Sequence, residues 1–229
     1  MSIRAGFLLL LFGLSSLMLP AGVGAAAERE GGTLRGVFGS DPPTLDPAQA
    51  TDTTSSSVIR QLFDGLVELD AELRVVPALA HRWSVSKDQK VYTFALRPGV
   101  KFHHGLEQRA KDVKFSFERA ARGKRPWGFE KIRGAREFIR GQAGEIGGIR
   151  IVDDLTVELS LEKPFAPFLY LMAYDAASVV PREEALRRGA EFASRPVGTG
   201  AFRLHAWRRD DQVVLEAFRE HFRGTPRVD

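Results

Sequence analysis

The segment from residue 91 to residue 121 constrains the fold most, because its hydrophobic period changes once along its length. Apolar residues alternate with less apolar ones from Val91 to Leu96, which predicts a strand. His103-His104-Gly105 then predicts a tight turn. From about Ala110 the apolar positions recur at helical spacing. These positions are Val113, Phe117 and Ala120. Strand, turn and helix share an apolar side, so we expect them to fold back on one another.

The first 27 residues are typical of a signal peptide. Arg4 supplies a positive charge, residues 7–19 are apolar, and three alanines ending at Ala27 precede Glu28. An uncleaved membrane anchor is the alternative, but the apolar run is shorter than the about 20 residues that a span needs. We therefore expect cleavage after about Ala27 and a periplasmic chain with no stable membrane insertion.

Charge and cysteine content exclude several classes of function. Removal of Arg4 leaves 32 basic and 29 acidic residues, a net charge of 32 − 29 = +3, without the basic stripe of a nucleic-acid-binding protein. The most basic cluster, Arg119 to Arg125, is expected to be a solvated helix end rather than a phosphate site. The absence of cysteine excludes disulfides, a lipid-modified cysteine and thiol catalysis. The remaining residues, about 200, are enough for one large domain or two small ones.

The other patterns predict a mixed α+β chain without regular βαβ alternation. Strands are expected at 33–39, 66–69, 73–76, 149–151, 155–161, 202–207 and 213–218. Helices are expected from about Thr53 to Phe63, around 132–139, at 165–174 and at 181–189.

The loop before the helix at Thr53 is a candidate binding site. Residues 40–54 contain three prolines and three aspartates, so regular structure is not expected there. Thr53, Thr54 and Ser55 are all competent N-caps for the helix. Free backbone N–H groups at such a helix start often bind small ligands. An ordinary surface connection fits the same pattern equally well.

Catalytic and metal-binding motifs have little support. The adjacent His103 and His104 have no third ligand nearby in sequence and no HExxH spacing. A GxSxG nucleophile motif is absent. The segment 198–200 (Gly-Thr-Gly) lacks the lysine of a phosphate-binding loop, so its glycines are expected to allow positive φ or a close backbone contact. We therefore expect no enzyme activity, no metal and no cofactor.

Several segments occur in a characteristic order behind the predicted signal peptide. They are GGTL at 31–34, Leu45-Asp46-Pro47, QLFDGLVELD at 61–70, YTFALRPGVKFHHG at 92–105, DVKFS at 112–116, VDDLTVELSLEKPFAPFL at 152–169, Val180-Pro181 and PVGTGAFRLHAW at 196–207. Together they resemble the N-terminal part of the family 5 extracellular solute-binding proteins, the dipeptide- and oligopeptide-binding components of ABC importers.

The resemblance implies an α+β, periplasmic binding protein-like fold of type II, cluster C. A partial ligand-binding lobe would consist of residues 28–63 and 182–229, and a smaller α/β domain would be inserted as residues 64–181. Family members are considerably longer, so the second main lobe would be absent. Since a cleft with one wall buries little of a ligand, we expect a truncated chain, either a fragment or an interrupted gene.

The resemblance also implies a function. The chain would be a monomeric periplasmic protein that captures di- and oligopeptides or similar small solutes for an ABC transporter permease, through backbone hydrogen bonds to an extended ligand. It nominates Thr51, Asp52, Thr53 and Trp127 as ligand-binding residues, with a core or surface role as the alternative for Trp127. The alternative function is a truncated exported interaction domain or gene remnant with no ligand of its own.

Two residues depart from the family pattern. His104 stands where the family usually has Asp or Asn. Arg109 replaces the usual helix-capping Thr, so the following helix start is expected to be weaker by about 1 kcal/mol.

Overall fold

Short helices and strands alternate along residues 31–229, the part of the chain that the computed structural model describes. The signal peptide and its cleavage site lie outside these residues. The α-helices are α1 (Thr53–Leu62), α2 (Ala110–Ala121), α3 (Ala135–Ile139), α4 (Phe168–Leu171) and α5 (Arg182–Arg188). The strands are β1 (Val67–Leu69), β2 (Val75–Pro77), β3 (Ala80–Val85), β4 (Val91–Leu96), β5 (Ile149–Asp153), β6 (Thr156–Ser160), β7 (Phe202–Arg208) and β8 (Gln212–Ala217). No helix in this region is both long and apolar enough to cross a membrane.

The central sheet is antiparallel and has the strand order β3-β4-β6-β5. Alternate residues of β4 are buried, as the sequence predicts, and so are Val157 and Leu159 of β6. These residues share one face because the register pairs Phe94 with Val157 and Tyr92 with Leu159. Helix α2 covers that face with Val113 and Phe117. The predicted strand–turn–helix unit is therefore confirmed. Two separate hairpins, β1–β2 and β7–β8, flank it.

Aromatic side chains fill the core. Among residues 31–229, six phenylalanines are fully buried: Phe94, Phe102, Phe117, Phe129, Phe168 and Phe192. Phe117 of α2 meets Phe129 edge-on with ring centroids 5.2 Å apart, and Phe168 of α4 packs 4.9 Å from Tyr92 of β4. Such pairs are worth about 0.5–1.5 kcal/mol beyond their area. They tie the segments that follow α2 to the central sheet.

One buried carboxylate caps two helices. Arg109, the N-cap of α2, has no side-chain acceptor to offer, but Asp112 Oδ2 accepts a hydrogen bond from the backbone N of Arg109 at 2.9 Å. Asp112 Oδ1 accepts from the backbone N of Arg182 at 3.0 Å, at the first residue of α5. Burial raises the pKa of Asp112, against the effect of these two donors. The carboxylate compensates for Arg109 and joins α5 to α2.

The glycine segment 198–200 approaches the end of α1 at backbone distance. A Cβ added to Gly198 would lie 2.0 Å from the carbonyl oxygen of Leu62, and one added to Gly200 would lie 2.4 Å from that of Gln61. The backbone N of Gly200 donates to Leu62 O at 3.0 Å. Of the two uses that the sequence predicts for these glycines, the structure shows the close backbone contact.

His103 holds the same segment from the other side. Its Nδ1 accepts a hydrogen bond from the backbone N of Gly198 at 3.2 Å, so the neutral ring carries its proton on Nε2, which lies 3.1 Å from Gly200 O. Burial lowers the pKa of His103 to about 4, although the Gly200 carbonyl and the charge of Asp64 act in the opposite direction. The neutral imidazole is therefore part of the fold.

Two sequence predictions of secondary structure are wrong, and one strand was missed. Residues 33–39 form no strand, since they pair with none of the described strands, and Val37 is 99% exposed. The helix predicted at 165–174 is limited to α4, since Pro167 fixes its start and Tyr174 is already extended. Strand β3 was not predicted, because its sequence lacks a continuous alternation: Ala80 is buried and Trp83 half-buried, but Val85 is 42% exposed.

Candidate functional site

Asp52 fixes the start of α1. Its Oδ1 accepts a hydrogen bond from the backbone N of Ser55 at 2.7 Å, which makes Asp52 the N-cap. The sequence predicted Thr53, Thr54 or Ser55 as the N-cap of α1. That prediction is wrong, because the capping side chain belongs to Asp52 and the backbone N of Ser55 donates to it. Of the nominated residues, Thr51 and Thr53 are exposed beside this cap, and Asp52 is half-buried.

Asp46 anchors the middle of the loop to helix α2. It is 3% exposed, and its Oδ1 accepts from the backbone N of Ala48 at 3.0 Å. Both carboxylate oxygens accept from the guanidinium of Arg119. The expectation of a solvated helix end at Arg119–Arg125 is therefore wrong for Arg119. Removal of one partner from a buried ion pair costs about 3–5 kcal/mol, so this pair holds the loop firmly in place.

Arg125 connects the two predicted parts of the site. Its guanidinium donates to the backbone carbonyl of Thr51. Its Cζ also lies 5.2 Å from the centroid of the Trp127 ring, in cation–π geometry. The structure thus brings the loop before α1 next to Trp127, which is 57% exposed and does not belong to the core. Sequence reasoning missed Arg125, and the only local signal is its position directly before Pro126-Trp127.

Trp127 forms one side of a shallow, mainly apolar depression. The depression is also lined by Arg125, Leu171, Tyr174, Asp175 and Ala176. Ser56 of α1 reaches it, since its Oγ donates to Asp175 Oδ2 at 2.5 Å. The volume of the depression is only about 10 Å³, room for about one water molecule, so by itself it is part of a wall and not a pocket for a ligand. The segment after α4 therefore joins α1 and Trp127 in this candidate site, and no sequence pattern indicated its role.

Both ring nitrogens of His103 bind backbone groups, so neither is available to a metal ion. His104 packs against Phe102 instead, with ring centroids 5.7 Å apart. Within residues 31–229, no three His, Cys, Asp or Glu side chains are arranged to hold a metal ion.

A family model described as "Bacterial extracellular solute-binding proteins, family 5 Middle" matches residues 74–229. The chain belongs to this family. The sequence resemblance to family 5 and the prediction of a periplasmic binding protein-like fold are both confirmed.

Relatives of this family 5 chain include proteins named for glutathione binding. The glutathione-binding protein GsiB of Pectobacterium atrosepticum is 33% identical over 192 residues, which cover 83% of this chain and 35% of that protein. GsiB of Salmonella typhimurium is 32% identical, with 83% and 36% covered.

Solved structures of peptide-binding proteins also match this chain. The substrate-binding domain of an oligopeptide ABC transporter from Bacillus anthracis superimposes with a TM-score of 0.79 at 27% identity, over 82% of this chain and 38% of that one. The Escherichia coli murein tripeptide binding protein MppA gives a TM-score of 0.73 at 28% identity, over 80% and 38%. The family 5 chain thus spans about a third of the length of these proteins.

Proposed function

We propose that this chain is the solute-binding component of an ABC importer, a non-enzymatic periplasmic protein that binds peptides or similar small solutes for a membrane permease. Family membership and the names of the relatives, which refer to glutathione, oligopeptides and murein tripeptide, support peptides as the solute class.

The contact of Arg125 with both Thr51 and Trp127 carries the proposal for the site. It brings an exposed indole ring next to the start of α1, and backbone N–H groups at the start of a helix can bind a ligand. Thr51 and Thr53 offer hydroxyl groups at that point, and Asp52 orients the helix by capping it. In this proposal these three residues and Trp127 form one wall of the binding site.

A peptide panel tests the proposal through thermal unfolding of the full chain. A ligand at 100 times its Kd stabilises the folded state by about 2.7 kcal/mol. For a chain of this size, that corresponds to a rise in Tm of roughly 5–10 °C. The panel includes glutathione and alanine-based di- to pentapeptides at millimolar concentration. A Tm that stays constant across the panel would contradict the proposal.

Trp127→Ala separates a binding role from a structural one. Because the indole is mostly exposed, its removal should weaken peptide binding about tenfold while the Tm of the free protein hardly changes. Trp83→Ala provides the matched control, since Trp83 lies on β3 and packs against the core. It should lower Tm and leave Kd unchanged. Equal losses of Tm in both variants would assign Trp127 to the scaffold.

The second candidate function is that of an exported interaction domain with no ligand of its own. The exposed apolar residues Leu34, Val37 and Phe38, which no described strand covers, favour it. Denaturation of the purified chain followed by mass spectrometry distinguishes the two functions. A co-purified peptide contradicts this second candidate.

A further inference from the structure

Positive charge is concentrated in residues 119–140, which we call the basic segment. It contains eight basic and two acidic residues, a net charge of 8 − 2 = +6. Residues 31–229 as a whole contain 33 − 2 = 31 basic and 29 − 2 = 27 acidic residues, a net charge of +4. The rest of the described chain therefore carries 4 − 6 = −2. The excess is a local property that the overall composition does not reveal.

Most cations of the basic segment have no acidic partner. Arg119 pairs with Asp46, and Lys131 lies 3.5 Å from Glu130. The remaining six form no ion pair with any residue in the described range 31–229: Arg122, Lys124, Arg125, Arg133, Arg136 and Arg140. Glu137 is the second acid of the segment, and it is exposed and likewise unpaired in that range. Lysine and arginine stay charged at neutral pH, so 6 − 1 = 5 positive charges remain uncompensated within the segment.

The first half of the basic segment lies against the candidate binding loop. The backbone N of Lys124 donates to Ala48 O at 3.0 Å. The guanidinium of Arg125 donates to Thr51 O. These contacts follow the loop towards the start of α1, so the cations after α2 and the nominated loop residues border the same surface.

Helix α3 keeps the second half of the segment close to the first. The guanidinium carbon of Arg122 lies 3.6 Å from the centroid of the Phe138 ring, and its Nη2 donates to Phe138 O at 3.2 Å. Arg136 and Arg140 are four residues apart on α3 and its C-cap, so they share one face of the helix. The unpaired cations thus extend from the binding loop to α3.

Arg125 is the member of this group that lies in the candidate site itself. Its half-buried guanidinium has five N–H donors, and Thr51 O and the face of Trp127 hold it in place. Neither neighbouring carboxylate forms an ion pair with it, since Asp52 and Asp175 accept hydrogen bonds from α1 instead. A fixed guanidinium with free N–H groups matches the planar geometry of a carboxylate.

We infer that the site selects anionic solutes, with Arg125 as the donor to a ligand carboxylate and the other unpaired cations of the basic segment as the source of an attractive field. The inference rests on the proposed function, because it names the charge class of the ligand at the same site. A field of one sign raises the local concentration of oppositely charged solutes and their association rate.

Two tripeptides that differ by one charge test this inference. Ala-Glu-Ala and Ala-Gln-Ala have side chains of nearly the same shape, and calorimetric titration of the unmodified full chain compares their Kd values. At about 0.01 M salt, where the Debye length is about 30 Å, Ala-Glu-Ala should bind about tenfold more tightly. At about 1 M salt the Debye length is about 3 Å, so the preference should fall to about threefold, as for a partly exposed ion pair.

Two variants separate the direct contact from the field. Arg125→Gln removes the charge and keeps an N–H donor for Thr51 O, so the preference that remains at high salt should disappear. Arg136→Gln with Arg140→Gln removes two exposed charges from α3 and leaves Arg125 in place. It should reduce the preference about twofold at low salt and leave it unchanged at high salt.

Arg82→Gln with Lys87→Gln is the matched control. Both residues are exposed, on β3 and in the turn after it, so the net charge changes as in the α3 variant. The preference for Ala-Glu-Ala should persist at both salt concentrations. If it falls as much as in the α3 variant, the overall charge of the chain sets the preference and the inference is wrong.

The outcomes separate this inference from the proposed function. Equal Kd values of the two peptides for the unmodified chain refute the anionic preference and leave the peptide-binding proposal intact. A preference that survives at high salt in Arg125→Gln also refutes the inference, since another group then binds the carboxylate. If neither peptide binds, the proposed function fails and the inference fails with it. The first comparison uses unmodified protein, so it remains decisive even if Arg125→Gln does not fold.

Discussion

Replacement of His103 should change how the stability of the chain depends on pH. In the folded state its imidazole is neutral, with a pKa of about 4 against an ordinary value of 6.5, chiefly because burial disfavours the charged form. Between these two values the unfolded chain binds a proton that the folded chain does not. Stability is therefore complete above about pH 6.5 and declines as the pH falls towards 4.

The magnitude follows from the two pKa values. Each pKa unit corresponds to about 1.36 kcal/mol, so the full decline between 6.5 and about 4 is about 3 kcal/mol. Most of it, about 2.5 kcal/mol, should be lost between pH 7.5 and pH 4.5. The nearby charges of Asp64, Arg203 and His104 modify this value but do not reverse its sign.

Urea unfolding at pH 7.5 and pH 4.5 provides the assay, with the unfolding free energy extrapolated to water. His103→Gln is the key variant, because an amide side chain does not titrate and can still accept from Gly198 and donate to Gly200. The loss of stability on acidification should be about 2.5 kcal/mol smaller in this variant than in the unmodified chain.

His81→Gln is the control, because His81 is exposed on β3. It should lose as much stability on acidification as the unmodified chain. If His103→Gln and the unmodified chain lose the same amount, the imidazole of His103 does not resist protonation, and the reasoning from its burial is refuted.

Three further substitutions test the fold around the site by urea unfolding. Gly200→Ala should destabilise the chain by at least about 1–3 kcal/mol, because the added Cβ would overlap the backbone of α1. Gly144→Ala is the control and should be nearly neutral, since nothing lies within 4 Å of that position. Equal effects of the two changes would contradict the close approach of Gly200 to α1. Asp112→Ala should cost about 1–2 kcal/mol for each helix that it caps, and a loss below 1 kcal/mol would show that the double cap is unimportant. Arg119→Met should lower the unfolding free energy by about 3–5 kcal/mol, because it leaves Asp46 without its partner. The double change Arg119→Met with Asp46→Asn should cost less than the sum of the two single changes. Additive losses would rule out the ion pair.

The local patterns of the sequence were sufficient for the central scaffold. The alternation in β4 and β6 and the helical spacing in α2 reflect burial on one face, and neighbouring residues encode that burial directly. Helix α5 was also predicted from end to end, because its start and stop signals are local. Its proline start, early acids, late arginines and terminal glycine all lie within nine residues.

Contacts between distant segments were not accessible from local patterns. The pairing of Arg119 with Asp46 joins residues 73 positions apart. Arg119 alone therefore gave no sign that it is anything but a solvated cation. The same holds for Asp175, whose partner Ser56 lies 119 positions away. Of the candidate site, the sequence identified the loop and Trp127, but not the residues that connect them.

The error at residues 33–39 has a different physical origin. The alternation there is typical of a strand, but a strand is stabilised by backbone hydrogen bonds to a neighbour, and no described strand offers them. The domain limits proposed at residues 63 and 182 remain predictions. The bonds from Asp112 to Arg182 and from His103 to Gly198 cross these limits, so the two parts are at least firmly joined.

The contact between the glycine segment 198–200 and the end of α1 also bears on the order of folding. Its two sides, residues 61–62 and 198–200, are far apart in the sequence, so closing that long loop early would be entropically unfavourable. The intervening sheet and helix α2, whose contacts are mostly closer in sequence, should form first and bring the two ends near each other. Helix α1 would then keep Leu62 and Phe63 without their contact to this segment until residues 198–200 have docked. A chaperone that recognises short apolar segments would find its longest-lived target there.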